Sequence, residues 1–466
     1  MIVNCLWRSL QRVRFRSWTI CLVPMLLLVG PAGSQESQPA AQLQARIDRL
    51  IQQLDDDSFE VRGKAETELA AIGDAAYAKL MAALKDSSPE RKQRAEKLVQ
   101  NIRAGLRFCS TIERADLNSA ISAAVSPDGT FLYVAASTGQ TASVYRFDAA
   151  TKSLQHVQSI SDPQDMLGVS ALRLSPDGRL VVAACGFGMC VVLFERDPDK
   201  GTLTTLQVVR TDPAQATVLQ RQSDAMFSPD GRFVYSLDRR GAVLAFEVTP
   251  ERKLRIVQTY MGDGTSLLNA SGIAIHPKGS SVFVVGADSS ALNVLRRDAK
   301  TGKLEPIQVL RDEQDGIRSL ERVYGVCTSP DGRFVYTCAN RDHSVSAFRV
   351  EDDGKLSLLQ EFINDKSELK GFVRGNEIVV TPDGLSLFAS GSESHSLACF
   401  DVDRASGKLR YRATVKNEGT TAHVGDGASG LAVSPDGKFV FVTRAGANAV
   451  SVFERSPPKV EGGKGP

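Results

Sequence analysis

The sequence lacks the short motifs that mark metal-, haem- and nucleotide-dependent chemistry. Its 466 residues contain no HExxH, no paired CxxC, no CxxCH, no P-loop and no GxSxG elbow. His343 and His395 lie in separate turns, too far apart along the chain to suggest a shared metal ion. The sequence therefore predicts neither a metal site nor a cofactor.

The chain also lacks a charge excess of either sign. Its 56 basic and 54 acidic residues nearly balance, and four of the basic ones lie within residues 1–34, which contain no acid. Without that segment, 52 basic and 54 acidic residues leave a formal charge of −2. No block of Lys and Arg follows, so the composition argues against nucleic acid as a partner.

The apolar run near the N-terminus is too short for a permanent membrane span. TICLVPMLLLVG has 12 residues, whereas a spanning helix needs about 20. It follows an Arg-rich stretch and precedes Ala32 and Ser34, two small residues at the spacing of a cleavage site. We therefore predict a signal peptide over residues 1–34, cleavage near Ser34 and a periplasmic or secreted mature protein.

Cysteine is too scarce for a disulfide framework. Six of the eight cysteines lie beyond residue 34, in more than 400 residues of chain. Cys185 and Cys190 flank GFGM, which indicates a turn between two strands. These two cysteines either form a disulfide or remain small buried side chains. Cys327 and Cys338 lie on neighbouring strands but diagonally, so a bond between them is less favoured.

Residues 35–40 are predicted to be a polar linker, and residues 41–105 a small all-α unit. Apolar residues recur at helical spacing in four segments, with Ser87 or Ser88 as a start signal and Gly105 as a stop signal for the last one. Each segment has a single apolar stripe, so the helices must pack against one another. Two antiparallel pairs would resemble HEAT-type repeats, which serve as spacers or docking surfaces.

A four-residue turn motif, SPDG or a close variant, recurs beyond residue 120. Its copies begin at Ser126, Ser175, Ser228, His276, Ser329, Thr381 and Ser434. Ser or Thr accepts a local hydrogen bond, Pro presets the backbone, and Gly supplies the permissive last position of a type I turn. The spacing of 48 to 53 residues is a repeat period, and apolar strands flank every copy.

Each repeat contains four strands, which predicts a mainly β fold after the helices. Seven such sheets bury both faces only in a radial arrangement, so residues 106–456 are predicted to form a seven-bladed β-propeller. Only six copies are followed by a fourth strand, because residues 457–466 are predicted to be a disordered tail. Residues 106–114, LRFCSTIER, are strand-like and are predicted to supply the missing strand of the last blade.

The runs SPDGRFVYSLD and SPDGRFVYTCANRDHSVSAF resemble the YVTN-type and lactonase-type families of seven-bladed β-propellers. The resemblance extends over nearly the whole repeat region. It implies the propeller fold, but it does not single out one function. These families include 6-phosphogluconolactonase-like enzymes, cycloisomerase relatives and exported members with no known reaction.

The resemblance also implies where functional residues would lie. Lactonase-like members have a His in the third blade, an adjacent Arg and His in the fourth and a carboxylate in a later blade, near the start of the innermost strands. Aligned on the turns, this chain has Ser223, Ser271 and Gly272 at the first three positions, and only Glu377 keeps the expected chemistry. Ser and Gly are not acid–base groups, so these departures argue against transferring the activity.

Polar residues just before the innermost strands are expected to meet at one mouth of the propeller channel. The predicted ligand-binding residues are Arg221, Asp224, Arg322, Arg374, His423 and Asp426. The arginines match the geometry of a carboxylate or phosphate. His423 and Asp426 either pair as a base and its orienting carboxylate or are solvated loop residues. The alternative for the whole set is the ordinary polar rim of a wet channel.

The sequence thus predicts an exported propeller that acts as a ligand-binding or protein-interaction module. Its partner would be a small anionic or sugar-derived molecule, or a protein of the cell envelope. The alternative is a lactonase in which Glu377 is the acid or base while Arg322 and Arg374 hold an anionic substrate. Export argues against that alternative for phosphorylated sugar lactones, because these are cytoplasmic metabolites.

Overall fold

The computed structural model describes residues 37–210, 219–416 and 427–458. The predicted signal peptide, most of the predicted tail, and both His423 and Asp426 lie outside the described residues. None of the described helices is long and apolar enough to cross a membrane.

The described residues begin with four α-helices. These are α1 (Ser37–Gln52), α2 (Phe59–Ile72), α3 (Tyr77–Ala83) and α4 (Pro89–Ala104). α1 begins inside the segment predicted to be a linker. The limits of α4 follow the sequence signals: Ser88 Oγ accepts the N–H of Arg91 at 3.2 Å, and Gly105 takes the left-handed conformation (φ +67°) that ends the helix. The likeness to HEAT-type repeats stays a prediction.

Contacts between Cα atoms group the chain into residues 1–46 and residues 47–466. Only the first part of α1 is described in the smaller unit. The larger unit contains the remaining helices and all of the β-strands, and within it α4 packs on α3 and on the propeller.

Four-stranded antiparallel sheets, the blades, follow the helices. Blade 1 has β2 (Ala120–Val125), β3 (Phe131–Ala136), β4 (Thr141–Asp148) and β5 (Ser153–Ser161). Blade 2 has β6 (Val169–Leu174), β7 (Leu180–Cys185), β8 (Cys190–Arg196) and β9 (Leu203–Arg210). Blade 3 has β10 (Gln222–Phe227), β11 (Phe233–Asp238), β12 (Ala242–Val248) and β13 (Leu254–Tyr260). Blade 4 has β14 (Ala270–Ile275), β15 (Ser281–Gly286), β16 (Ala291–Arg297) and β17 (Leu304–Arg311).

The remaining blades repeat this order, with one exception. Blade 5 has β18 (Val323–Thr328), β19 (Phe334–Ala339), β20 (Ser344–Val350) and β21 (Leu356–Ile363). Blade 6 has β22 (Gly375–Val380), β23 (Ser386–Gly391), β24 (Ser396–Val402) and β25 (Leu409–Lys416). Blade 7 has β26 (Ala428–Val433), β27 (Phe439–Arg444), β28 (Ala449–Arg455) and, as its outer strand, β1 (Leu106–Glu113). The predicted fold class, a seven-bladed β-propeller after a helical unit, is confirmed.

Blade 7 joins the two ends of the propeller sequence. β1 pairs antiparallel with β28, from Leu106 opposite Arg455 to Glu113 opposite Ala449. The strand predicted over residues 106–114 is therefore present in the place that the count of fourth strands indicated. Its pairing closes the ring.

Apolar side chains fill the space between neighbouring blades. Seven buried clusters each combine residues of two adjacent blades; one contains Phe131 and Tyr133 of blade 1 with Val192 and Phe194 of blade 2. Alternating side chains of each central strand face opposite neighbours, so both faces of every sheet are buried. This explains why the second strands of all seven blades are buried throughout.

The repeated turn also ties blades together. In the first copy, Ser126 Oγ donates to Asp128 at 2.6 Å and accepts the N–H of Phe131 at 2.9 Å. The other Asp128 oxygen accepts from the buried Arg196 of blade 2 at 3.1 Å, and the same guanidinium donates to the Tyr133 hydroxyl at 2.6 Å. The Asp of the motif thus has two functions, because it shapes the turn and anchors an arginine of the next blade.

Candidate functional site

The innermost strands of the blades line a central channel. These strands enclose a cavity of about 550 Å³. All seven begin at the same end, here called the upper mouth, and run toward the SPDG-type turns at the other end. Side chains at the first few positions of each strand therefore converge near the upper mouth.

An arginine of blade 2 bridges the channel. Arg173, in β6, donates to Ser122 Oγ of blade 1 at 2.8 Å and to Asp224 Oδ2 of blade 3 at 3.2 Å. Its guanidinium also lies 3.7 Å from Glu377 Oε1 of blade 6. Three strands from different parts of the ring thus bring one cation and two carboxylates together.

Local irregularities aim both carboxylates into the channel. The pairing of β22 with β23 shifts between Gly375 and Ile378, so Glu377 lies in a bulge, and its N–H donates to Ser390 Oγ at 3.1 Å. A similar shift precedes Asp224 in β10. The same shift occurs between the first two strands of every blade, so these bulges belong to the repeat, and they turn the side chains at this position of each innermost strand.

The site changes the protonation of its members. Burial raises the pKa of Glu377 to about 7; the positive charge of Arg173 opposes this rise and the negative charge of Asp224 adds to it. Burial also raises the pKa of Asp224, despite the opposing effect of Arg173. Burial disfavours the charge on Arg173, but the two carboxylates outweigh this cost and its pKa is raised. Glu377 can therefore exchange a proton near neutral pH.

The arginines predicted from the sequence lie at the upper mouth rather than in this cluster. Arg322 pairs with Asp288 at 3.4 Å, and Arg374 pairs with Glu393 at 2.5 Å. The guanidinium of Arg221 lies over the ring of Phe187, 5.6 Å from its centroid. Of the predicted site residues, the structure brings Glu377 and Asp224 together, and it places these arginines around the opening above them.

The serines that replace family residues tie neighbouring innermost strands together. Ser223 Oγ donates to the carbonyl of Ala270 at 2.5 Å, and Ser271 Oγ donates to the carbonyl of Val323 at 3.1 Å. Each bond runs from one blade to the next. These hydroxyls therefore stabilise the ring at the two positions where acid–base chemistry was absent from the sequence.

Sequence reasoning missed Arg173, although a signal was present. It occupies the second position before the turn motif, inside an innermost strand. The equivalent residues in the other six copies are Ala124, Met226, Ala274, Cys327, Val379 and Ala432. An arginine among six apolar residues at a channel-facing position is a departure from the repeat, and such departures indicate function.

Cys185 and Cys190 are directly opposite each other in the register of β7 and β8. Both are buried free thiols in the structure. The other cysteines of the described residues are also free thiols, two of them half-buried. The facing arrangement expected from GFGM is therefore observed, and the disulfide between them stays a prediction.

Seven blades around a channel that contains two carboxylates and a bridging arginine define a seven-bladed β-propeller with a titratable channel site. The chain belongs to the family described as "Lactonase, 7-bladed beta-propeller", whose sequence model matches residues 107–207, 199–314 and 326–460.

Individual relatives are distant. The chain is 25% identical over 229 residues to an uncharacterised protein of Lactococcus lactis, a match that spans 48% of this chain and 65% of that protein. It is 23% identical over 294 residues to a 6-phosphogluconolactonase of Enterobacter, spanning 62% and 82%. The structure of the periplasmic gluconolactonase of Pseudomonas aeruginosa superposes with a TM-score of 0.56 at 22% identity, covering 68% and 88%. That superposition concerns the fold alone.

Proposed function

We propose that this protein hydrolyses a lactone in the upper part of its channel, with Glu377 as the acid–base group. The observation that carries the proposal is the contact of Arg173 with Asp224 and Glu377 in the channel of a lactonase-family propeller. A carboxylate whose pKa lies near 7, held in a cleft beside an arginine, is suited to acid–base catalysis near neutral pH. Together with membership of the lactonase family, this chemistry favours the lactonase alternative over the interaction module.

In the proposed reaction, ionised Glu377 accepts a proton from a water molecule as the water oxygen bonds to the lactone carbonyl carbon. The carbonyl oxygen becomes negatively charged in the resulting tetrahedral intermediate. When the bond from this carbon to the ring oxygen breaks, Glu377 returns the proton to the ring oxygen. The products are a carboxyl group and a free hydroxyl on one open chain, so atoms and charge balance.

Arg173 is proposed to stabilise the oxyanion. Its charge lies 3.7 Å from Glu377, and its hydrogen bonds to Ser122 and Asp224 fix the guanidinium before substrate arrives. A preorganised cation costs no reorganisation as charge develops on the carbonyl oxygen. Asp224 would then be a positioning residue, because it acts through Arg173.

The proposal is tested with purified mature protein and a panel of lactones. Acid release is followed with a pH indicator for γ-butyrolactone, δ-valerolactone, D-glucono-1,5-lactone and its 6-phosphate, each corrected for spontaneous opening. We expect at least one sugar lactone to open well above its spontaneous rate. If no lactone opens above its spontaneous rate and a specific envelope protein is captured, the result would instead support the interaction module.

We also propose that the reaction takes place outside the cytoplasm, on the strength of the signal pattern in residues 1–34. Expression of the full chain in a Gram-negative host should yield a periplasmic protein that lacks about 34 residues. Intact mass and N-terminal sequencing give the cleavage site. Replacing Leu26 and Leu27 by Arg should leave the uncleaved chain in the cytoplasm. An uncleaved chain in the unaltered protein would contradict the proposal.

A further inference from the structure

An exposed aromatic side chain lies at the upper mouth, in the turn between β7 and β8. This residue, Phe187, is 61% exposed. A Cβ atom at the preceding Gly186 would lie 2.9 Å from the carbonyl oxygen of Gln222, so the turn lies against the start of β10. A Cβ atom at Gly168 would collide with the Phe187 ring. Both glycines allow the ring to lie where it does.

Two arginines lie near this ring. The guanidinium carbon of Arg221 lies 5.6 Å from the Phe187 centroid, and the carbonyl of Arg221 accepts the N–H of Arg239 at 3.0 Å. The Arg239 side chain lines the channel. Within the described ranges neither arginine forms an ion pair, whereas Arg322 and Arg374 across the mouth each have an acidic partner.

Apolar side chains extend the same arc of the mouth. Met189 follows Phe187 in its turn and is 52% exposed, and Leu268 lies beside the turn that carries Arg239 and is 42% exposed. With Met261, four of the seven large apolar side chains that are strongly exposed in the described residues lie in turns of blades 2 to 4.

This combination suits a sugar ring. The face of a pyranose that bears C–H groups packs on an aromatic face, while its hydroxyls accept hydrogen bonds from guanidinium N–H groups. Arg173 and Asp224 come from blades 2 and 3, the same side of the channel as Phe187. Asp224 lies two residues inside the strand that begins at Gln222, a depth of about 7 Å. Arg239 lines the same cavity as Glu377, and its contact with Arg221 leads from that cavity toward Phe187, so a ligand with its carbonyl at Glu377 could extend past Arg239 to the aromatic ring.

We propose that Phe187, Arg221 and Arg239 form a subsite for a second sugar residue, so that the substrate is an aldonolactone carrying a glycosyl substituent. This inference rests on the proposed lactone hydrolysis. It adds the substrate class to it: a disaccharide-derived lactone is preferred over the lactone of a single sugar.

The test compares cellobiono-1,5-lactone with D-glucono-1,5-lactone. For the unaltered protein we expect kcat/KM to be about ten-fold higher with the disaccharide lactone. Phe187→Ala should remove this preference by raising KM for the disaccharide lactone while leaving kcat and the rate with gluconolactone unchanged. Phe187→Trp should retain the preference. Phe59→Ala, which removes an equally exposed phenylalanine from α2, is the matched control and should change neither substrate.

Binding of the open-chain products separates this proposal from the proposed function. Calorimetry with cellobionate and gluconate needs no turnover, and cellobionate should bind more tightly in a manner that depends on Phe187. Phe187-dependent binding without hydrolysis of any lactone would contradict the lactonase proposal and support the subsite. Equal kcat/KM for the two lactones, or an equal loss for both in Phe187→Ala, would overturn the subsite while lactone hydrolysis stands.

Discussion

Replacing Glu377 by Gln is expected to lower kcat/KM for the preferred lactone about 1000-fold, the range measured for the loss of a general acid or base. Gln keeps the size and polarity of the side chain but cannot accept a proton from water. The assay is the initial rate of acid release, with spontaneous opening subtracted. Glu305→Gln, a change on the exposed face of outer strand β17, is the control and should leave the rate unchanged.

The pH dependence of the unaltered enzyme tests the same residue. The active form has an ionised carboxylate, so kcat/KM should fall as pH decreases through about 7. A half-maximal rate near the ordinary Glu pKa of 4.5 would show that the catalytic base is not a carboxylate whose pKa is raised by burial.

Glu377→Gln should raise the stability of the fold although it lowers the activity. Folding raises the pKa of Glu377, so the folded chain holds a proton that the unfolded chain has lost between pH 4.5 and about 7. This group therefore destabilises the fold progressively as pH rises through that window. Glu377→Gln should unfold at a higher urea concentration than the unaltered protein at pH 8, with little difference at pH 4. A variant that is inactive because it is misfolded would show the reverse.

Replacing the buried Arg297 by Ala should lower the free energy of unfolding strongly. The guanidinium side chain is 1% exposed and binds Asp230 of the preceding blade at 2.8 Å, the Tyr235 hydroxyl at 2.9 Å and the carbonyl of Gly279 at 3.1 Å. Its removal leaves a cavity and unsatisfied buried partners. Because Asp230 is partly solvated, we expect a loss of about 3 kcal/mol in the free energy of unfolding.

Urea unfolding followed by tyrosine fluorescence and circular dichroism gives the free energy, because both tryptophans lie within residues 1–34. Arg255→Ala is the matched control, because Arg255 forms an exposed ion pair with Glu247 in blade 3, and such pairs contribute about 0.5 kcal/mol or less. Equal effects of the two substitutions would show that the blade-to-blade contact of Arg297 has no special role.

The fold could be predicted from the sequence because its signal is repeated. Each copy of SPDG has a local cause, so seven copies at a regular spacing determine the number of blades and the closing strand. The contacts between blades are harder to predict. Arg196 and Asp128 are 68 residues apart, and no local pattern shows that the turn of one blade contacts the third strand of the next.

The candidate site was only partly predictable for a related reason. Glu377 and Asp224 were found because the sequence places both near the starts of innermost strands. Their contact depends on Arg173, whose side chain runs back along the channel to reach them from a deeper position. Which side chains cross a channel depends on their rotamers, and the repeat pattern does not specify these.

Blade 7 combines the first strand of the propeller with its last three, and this has a consequence for biosynthesis. β1 leaves the ribosome about 340 residues before its neighbour β28, a wait of roughly 20 to 70 s at ordinary rates of translation. Throughout this time it is an unpaired edge that could recruit other nascent chains. The helices that immediately precede it can fold first and hold it near the growing molecule. We therefore expect the pairing of β1 with β28, which closes the ring, to be the slowest step of folding.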